Sequence, residues 1–361
     1  MLWFNCILGA YVFFLLFLLL GYGYGIVKRK KDRKKDILIE LHDITVVIPF
    51  RDEKENLESL LNQIKTLKIR PAQFLFVDDH STDAGATVIN AQKNKDVELL
   101  SMKEKNGKKE AVFKGVNKAK TSYILCWDAD VSFSKDYFKE LCTIPKKALI
   151  ILPVHHRSSS IYDWFFEVDV ILANYINHAS AGIYRAVICS GANLLFEKAS
   201  YLEVIALDSH KHIASGDDAF LLRNMQIAKK SIELGALDHC AVTTSNPATF
   251  IEFLAQRARW FGKTFLLKDK LLNTYGLIQF IFVSSFLILL LVAFIESPFL
   301  FLQLWLLKSM IEIVFLLPFF FALRKTKILT ILPIYALLFP IYNLVLLASL
   351  FRKKKWKGRP I

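Results

Sequence analysis

A chain of 361 residues, 54% of them hydrophobic and 30 of them phenylalanine, is long enough for two domains but too apolar for an ordinary soluble protein. Its formal charge of +14 would suit a nucleic-acid binder. Much of that excess, however, flanks apolar stretches, at Lys28 to Lys35, at Arg324, Lys325 and Lys327, and at Arg352 to Arg359, so membrane lipids are the expected partner and nucleic acid is set aside.

Trp3 to Leu20 carries no charge and is long enough to cross a bilayer as a helix. Lys28, Arg29, Lys30, Lys31, Arg33, Lys34 and Lys35 follow it, which by the positive-inside tendency places the rest of the chain on the cytoplasmic side. A cleaved signal peptide fits less well, because the charges come after the apolar core. The expectation is a transmembrane signal anchor over 1–27 with its N-terminus outside, then a basic juxtamembrane linker over 28–43. Gly21, Gly23 and Gly25 trail the span rather than a strand, so they predict the end of that helix and not a nucleotide loop.

From Ile44 the pattern changes. The β-branched run Ile44 to Pro49 reads as a strand, and Asp52 to Leu67 carries apolar residues at helical spacing. Phe74 to Val77, a helix through Ala91, Val97 to Leu100, a helix over Lys109 to Lys118, and Tyr123 to Trp127 continue the alternation. This predicts an α/β unit over 44–270 with a mainly parallel sheet and helices on both faces. In such sheets ligands gather at the carboxyl ends of the strands, where Glu53, Asp78, Asp79, Asp128 and Asp130 fall.

The tripeptide Asp128-Ala129-Asp130 stands at the tip of the strand Tyr123 to Trp127. Two carboxylates there suit Mg²⁺ or Mn²⁺, which take one or two carboxylates together with phosphate oxygens and water. An acidic turn capping the next helix is the plain alternative. Lys108 follows Gly107 at a loop-to-helix junction, placed to approach a nucleotide or simply to start a solvated helix. Gly191-Ala192-Asn193 precedes the apolar Leu194 to Phe196, and a glycine there lets backbone approach a donor sugar, or makes an ordinary strand entry. The cysteines at positions 6, 126, 142, 189 and 240 show no paired or metal-ligand spacing and read as small buried hydrophobes without disulfides. His155 with His156, and His210 with His212, lack zinc-spaced neighbours.

The C-terminal region, 271–351, returns to membrane composition. Leu277 to Ile295 and Phe299 to Leu323 each read as a span, and Ile328 to Phe351 is long enough for a third, with Pro333 and Pro340 leaving a broken or re-entrant segment open. A basic tail, 352–361, follows. Lys308 and Glu312 lie four residues apart within the second span, as a neutralising pair or an intramembrane functional site.

The strings VVIPFRDEKENL, FVDDHSTD, NGKKEAVFKG, CWDADV, SGANLLFEK, SGDDAFLL and QRARW, spread over about Val46 to Lys263, resemble family 2 glycosyltransferases. That family comprises membrane-attached inverting enzymes of the GT-A fold, a Rossmann-like α/β domain. The resemblance implies that Asp78 and Asp79 are the acidic pair of which one contacts the nucleobase, usually uracil, that Pro49 and Glu53 line the nucleotide, and that Lys108 helps to hold it. Asp128 and Asp130 resemble the DxD pair, with Asp130 as direct metal ligand and Asp128 nearer the ribose or the metal's water shell. Asp218 matches the catalytic base, beside which Asp217 replaces the more frequent glutamate. Gly191 lies in the donor-sugar turn. Gln256, Arg259 and Trp260 match a QxxRW motif beside the diphosphate and the acceptor, although Trp260 also suits an interfacial anchor.

Inversion needs only one carboxylate within reach of the acceptor hydroxyl, because the nucleotide diphosphate leaves as a stabilised anion. The expected protein is therefore an integral membrane enzyme of a bacterial inner membrane, with its catalytic domain in the cytosol. It would be a metal-dependent inverting hexosyltransferase moving a sugar from a UDP-sugar to a lipid, lipid-linked or glycan acceptor. Few spans follow QRARW, which favours single addition over a processive polysaccharide synthase. A non-catalytic nucleotide-binding subunit of a polysaccharide export assembly is the reading from another class, against which Asp128, Asp130, Asp218 and Arg259 argue.

Overall fold

The computed structural model describes residues 2–32, 37–92, 94–103, 107–157, 160–206, 217–349, 355–356 and 359–360. The chain divides into two compact units, one of Asp32–Arg157 with Ile188–Ser245, the other of Met1–Lys31, Ser158–Val187 and Asn246–Pro360. In chain order the elements are α1 (Leu2–Asp32), β1 (Ile44–Phe50), α2 (Lys54–Lys65), β2 (Gln73–Asp78), α3 (Gly85–Asn90), β3 (Val97–Ser101), α4 (Lys108–Lys118), β4 (Tyr123–Trp127), β5 (Ser132–Phe133), α5 (Tyr137–Leu141), β6 (Leu149–Ile151) and β7 (Val154–His156). They continue as α6 (Ile161–Ile183), β8 (Asn193–Glu197), α7 (Lys198–Ala206), α8 (Asp217–Ile227), β9 (Ile232–Leu234), β10 (Val242–Thr244), α9 (Phe250–Leu266), α10 (Lys270–Glu296), α11 (Pro298–Ala322), α12 (Leu332–Ser349), β11 (Lys355–Trp356) and β12 (Arg359–Pro360).

The α/β unit is built on a seven-stranded sheet in the order β3-β2-β1-β4-β8-β6-β9. The first four strands are parallel, β8 runs antiparallel to β4 and β6, and β9 is parallel to β6. Every residue of β1 and of β4 is buried, as strands covered on both faces must be, which is why they read as unbroken apolar runs. Alternation along β1 divides the two layers. Val46 and Ile48 share a core with Leu57, Leu60, Leu61 and Ile64 of α2, while Val47 faces α4, where a Cβ on Gly115 would lie 2.5 Å from Val47 Cγ1. Glycine there lets α4 lie close against the sheet. A three-stranded sheet, β5-β10-β7, completes the unit.

Among the described residues, four helices of the helical unit are long and apolar enough to cross a membrane, over Asn5–Lys30, Lys270–Glu296, Pro298–Ala322 and Thr326–Ala348. The last begins as a 3-10 turn over Thr326–Ile331 and continues as α12 through Pro340. Two further helices, α6 and α9, cluster with these, although both fall within the stretch 44–270 whose alternating pattern predicts an α/β unit. Phe166 of α6 stacks on Phe253 of α9 at 4.4 Å between ring centroids, beside Tyr342 of α12.

The glycines at 21, 23 and 25 do not end α1, which runs on to Asp32. Gly21 and Gly25 instead face Gly182 of α6, on which an added Cβ would stand 1.9 Å from the Gly21 carbonyl oxygen and 3.0 Å from the Gly25 nitrogen. Small residues there allow two backbones to touch, a packing need that a local breaker rule does not register. Within the apolar helices, Lys308 Nζ and the Tyr11 hydroxyl both donate to Glu312 Oε1, each at 2.5 Å. Cys126 and Cys240 are buried and Cys142 and Cys189 half-buried, whereas Cys6 is exposed, so the buried-hydrophobe reading fails for Cys6. His210, His212 and most of the basic tail lie outside the described residues.

Candidate active site

The ends of β1, β2 and β4 carry the site. Pro49 lies within β1 opposite Val77 of β2, and Glu53 stands at the N-cap of α2, accepting from Asn56 Nδ2 at 2.6 Å. Asp78 closes β2 and accepts the Ser81 backbone N–H at 2.9 Å, while the Asp79 backbone N–H is held by the Phe50 carbonyl. Side chains and backbone at the two strand tips thereby fix each other.

Gly107 joins this corner to the start of α4. Its φ of +109° is open to glycine and costly for other residues, and its N–H donates to Asp79 Oδ1 at 2.9 Å. The following residue, Lys108, opens α4 and reaches Asp128 Oδ1 with Nζ at 2.5 Å. Asp130 Oδ2 accepts from the Thr244 hydroxyl at 2.5 Å, which ties the end of β10 to the acidic tripeptide. Burial raises the Asp130 pKa, and the Asp128 charge, with Glu53 behind it, pushes the same way. Asp79 is also held above the ordinary carboxylate range, chiefly by burial.

Asp218 lies in the first turn of α8, where a helix favours negative charge. Its Oδ1 accepts the Ala219 N–H at 2.7 Å and its Oδ2 the Gly191 N–H at 3.1 Å. Because Trp127 pairs with Asn193 across β4 and β8, the strand end leading to Asp128 lies beside the strand entry that carries Gly191. Asp217 opens α8, and its side chain lies outside the described ones.

Asp128 and Asp130 crowd two carboxylates at one strand tip, of which Lys108 answers Asp128. Among the described residues no group of three or more His, Cys, Asp or Glu is arranged to hold an ion by itself. Two carboxylates completed by phosphate oxygens fit the preference of Mg²⁺ or Mn²⁺.

Gln256, Arg259 and Trp260 lie on α9 in the helical unit. Arg259 is half-buried and Trp260 is 43% exposed. Sequence reasoning passed over Arg257, which is buried, ion-paired with Asp169 of α6, and stacked with its guanidinium 4.2 Å from the Trp260 ring centroid. The Tyr335 hydroxyl donates to the other Asp169 oxygen at 3.0 Å. Thr244 and Asn193 were missed as well. A lone polar residue heading the apolar run Leu194 to Phe196 was the available signal for Asn193.

Residues 45–173 match the family described as Glycosyl transferase family 2, and residues 123–348, more than half of the chain, match Glycosyl transferase family group 2. The chain belongs to the family 2 glycosyltransferases. Among curated relatives of this glycosyltransferase, the poly-β-1,6-N-acetyl-D-glucosamine synthase of Staphylococcus aureus (strain COL) is 29% identical over 139 residues, 37% of this chain and 34% of that protein. The synthase of the same name from Staphylococcus epidermidis is 23% identical over 139 residues, with the same shares. The match thus spans about a third of the length of these relatives. A solved mannosyltransferase from Pyrobaculum calidifontis, in complex with GDP-Man and Mn²⁺, is 16% identical with a TM-score of 0.52, covering 92% of this chain and 99% of that one. This likeness is one of fold, and the glycosyltransferase's α/β unit is of the GT-A type.

Proposed function

We propose that this glycosyltransferase is a membrane-bound inverting enzyme that moves a sugar from a UDP-sugar to a lipid, lipid-linked or glycan acceptor, with Asp218 as general base. The observation that carries the reading is the Asp218 carboxylate, held by two backbone N–H groups beside the strand end that delivers Asp128 and Asp130. A carboxylate so fixed accepts the acceptor hydroxyl's proton as that oxygen attacks the anomeric carbon from the face opposite the departing diphosphate.

The remaining residues bind and orient. Asp79, with Asp78 beside it, offers a buried carboxylate to a nucleobase N–H, and Pro49 and Glu53 line the same corner. Lys108 holds Asp128 in place and adds positive charge where phosphate oxygens would lie. Asp130, with Asp128, would hold Mg²⁺ or Mn²⁺, which when bound neutralises charge developing on the diphosphate. The mannosyltransferase of like fold is a complex with GDP-Man and Mn²⁺, which supports a nucleotide sugar and a divalent ion here. Gly191 allows close approach of the donor sugar, Asp217 supports Asp218, and Gln256, Arg259 and Trp260 serve the diphosphate and the acceptor. The four apolar helices anchor the enzyme in a membrane, a bacterial inner membrane on this reading, and the basic residues from Lys28 to Lys35, at the end of α1 and just beyond it, keep the α/β unit in the cytosol.

A second reading, processive synthesis of a polysaccharide, is favoured by the name of the staphylococcal relatives. Both readings are tested by incubating the purified full chain with a panel of nucleotide sugars and Mn²⁺ or Mg²⁺. Release of UDP from one donor, abolished by EDTA and by Asp218→Asn, is expected. Product length after addition of an acceptor separates single addition from polymerisation. A chain that hydrolyses and transfers nothing is a binding subunit.

A further inference from the structure

We propose that Asn193 is a positioning residue, a buried carboxamide that sets the spacing between the Asp128–Asp130 pair and Asp218. This rests on the roles proposed above for those three carboxylates.

A carboxamide has two N–H donors and an oxygen with two lone pairs, and Asn193, fully buried, uses all four. Its Oδ1 accepts from Trp127 Nε1 at 3.2 Å and from the Tyr137 hydroxyl at 2.6 Å. Its Nδ2 donates to the Pro153 carbonyl at 2.8 Å and to the Cys240 carbonyl at 2.7 Å.

Three of the connected backbones lead directly to the chemistry. Trp127 is the residue before Asp128, and its ring is clamped against Phe133 at 4.7 Å and Tyr137 at 5.1 Å, so fixing the indole fixes the strand tip. Cys240, held in the left-handed region at φ +52°, precedes β10, whose Thr244 holds Asp130. The chain of Asn193 itself runs back two residues to Gly191, whose N–H holds Asp218. One side chain thus joins the three segments on which the proposed metal ligands and base depend. Groups that hydrogen-bond a metal ligand directly change metal affinity or activity by about 10–100-fold when disturbed, and Asn193, which reaches the carboxylates through the adjoining backbone, should act at the lower end of that range for binding.

Trp127→Phe and Tyr137→Phe each remove one donor to the same Asn193 oxygen, but only Trp127 adjoins a carboxylate of the site. In the detergent-purified full chain both should lower the melting temperature, Trp127→Phe the more because it also leaves a cavity in the core. Trp127→Phe should weaken Mn²⁺-dependent UDP binding, read by calorimetry, about tenfold and lower kcat about 100-fold, whereas Tyr137→Phe keeps both near wild type. Asn193→Asp, which removes the donors to Pro153 and Cys240, should weaken the same UDP binding through the β10 arm and serves where Trp127→Phe does not fold. Equal losses in both aromatic variants, or unchanged UDP affinity and kcat in Trp127→Phe or Asn193→Asp, would overturn the proposal. A wild-type chain that neither binds UDP with Mn²⁺ nor turns over a nucleotide sugar defeats the functional reading itself, a different result from either.

Discussion

Gly191 and Asp218 meet through one hydrogen bond, backbone N–H to carboxylate Oδ2, at 3.1 Å. With Oδ1 held by the adjacent Ala219 N–H of its own helix, the two bonds fix the plane of the carboxylate, and each oxygen keeps a second lone pair. Asp218→Asn keeps the shape but has one acceptor oxygen in place of two, so it holds the N–H of Gly191 or of Ala219 and not both, and it cannot take a proton. Its kcat should fall by about 10²–10⁴-fold with donor KM little changed, as measured by UDP release under steady state. Near-normal turnover would place the base elsewhere.

The acidic tripeptide should be a liability until it is neutralised. Burial first, then the Asp128 charge, raises the Asp130 pKa in the folded chain. A carboxyl raised on folding binds its proton more tightly than in the unfolded chain, so its stabilising contribution is present below the ordinary carboxylate range and is lost as pH rises through the raised value. At neutral pH, without metal, Asp130→Asn should therefore melt a few degrees higher than wild type, and the gap should close under acidic conditions. Mn²⁺ should raise the melting temperature of wild type and not of the variant. Differential scanning calorimetry across pH reads both effects.

Gly182 offers a test of the helical unit. An added Cβ would lie 1.9 Å from the Gly21 carbonyl oxygen, so α1 and α6 must separate to admit it. Gly182→Ala should destabilise the protein by roughly 1–3 kcal/mol. Gly23→Ala, which meets nothing within 4 Å, should be neutral or more stable by up to about 1 kcal/mol because alanine favours helix. Unfolding in mixed micelles would compare them, and equal behaviour would mean that the glycine crossing carries no packing constraint.

The pair Lys308 and Glu312 predicts non-additivity. Both side chains are 11% exposed, and they share Glu312 Oε1 with Tyr11. Removing Glu312 alone, as Glu312→Leu, leaves a buried ammonium unpaired and should cost about 3–5 kcal/mol. The double variant with Lys308→Met should recover most of that loss. A full loss persisting in the double variant would point to a role beyond pairing.

Much of the α/β unit was legible because its central strands are buried on both faces and their tips carry charge. Ile44 to Pro49, Phe74 to Val77 and Tyr123 to Trp127 left little freedom in register, and Asp128 and Asp130 had to follow the last. The partners of those carboxylates were less visible. Thr244 lies 114 residues from Asp130, and Asn193 lies 66 residues from Trp127, so no local pattern joins them. Gly21 and Gly25 were misread because close approach to Gly182 is a property of two helices and not of one. Arg257, between the motif positions Gln256 and Arg259, gave no signal of its own, because its counter-charge, Asp169 of α6, lies 88 residues earlier in the chain. The described side chains of QxxRW were legible as a motif, while their surroundings belong to helices far away in the chain.

The polypeptide passes between its two units four times, at 31/32, 157/158, 187/188 and 245/246. No single cut can therefore release the sheet with all its strands. Shortening the chain from the front leaves α6 threaded through the middle of the remainder, and stopping after β10 strands that same helix without α9 and α12, the source of Phe253 and Tyr342. Any soluble version of this enzyme would have to be spliced, with residues 158–187 replaced by a short polar bridge, and not merely trimmed.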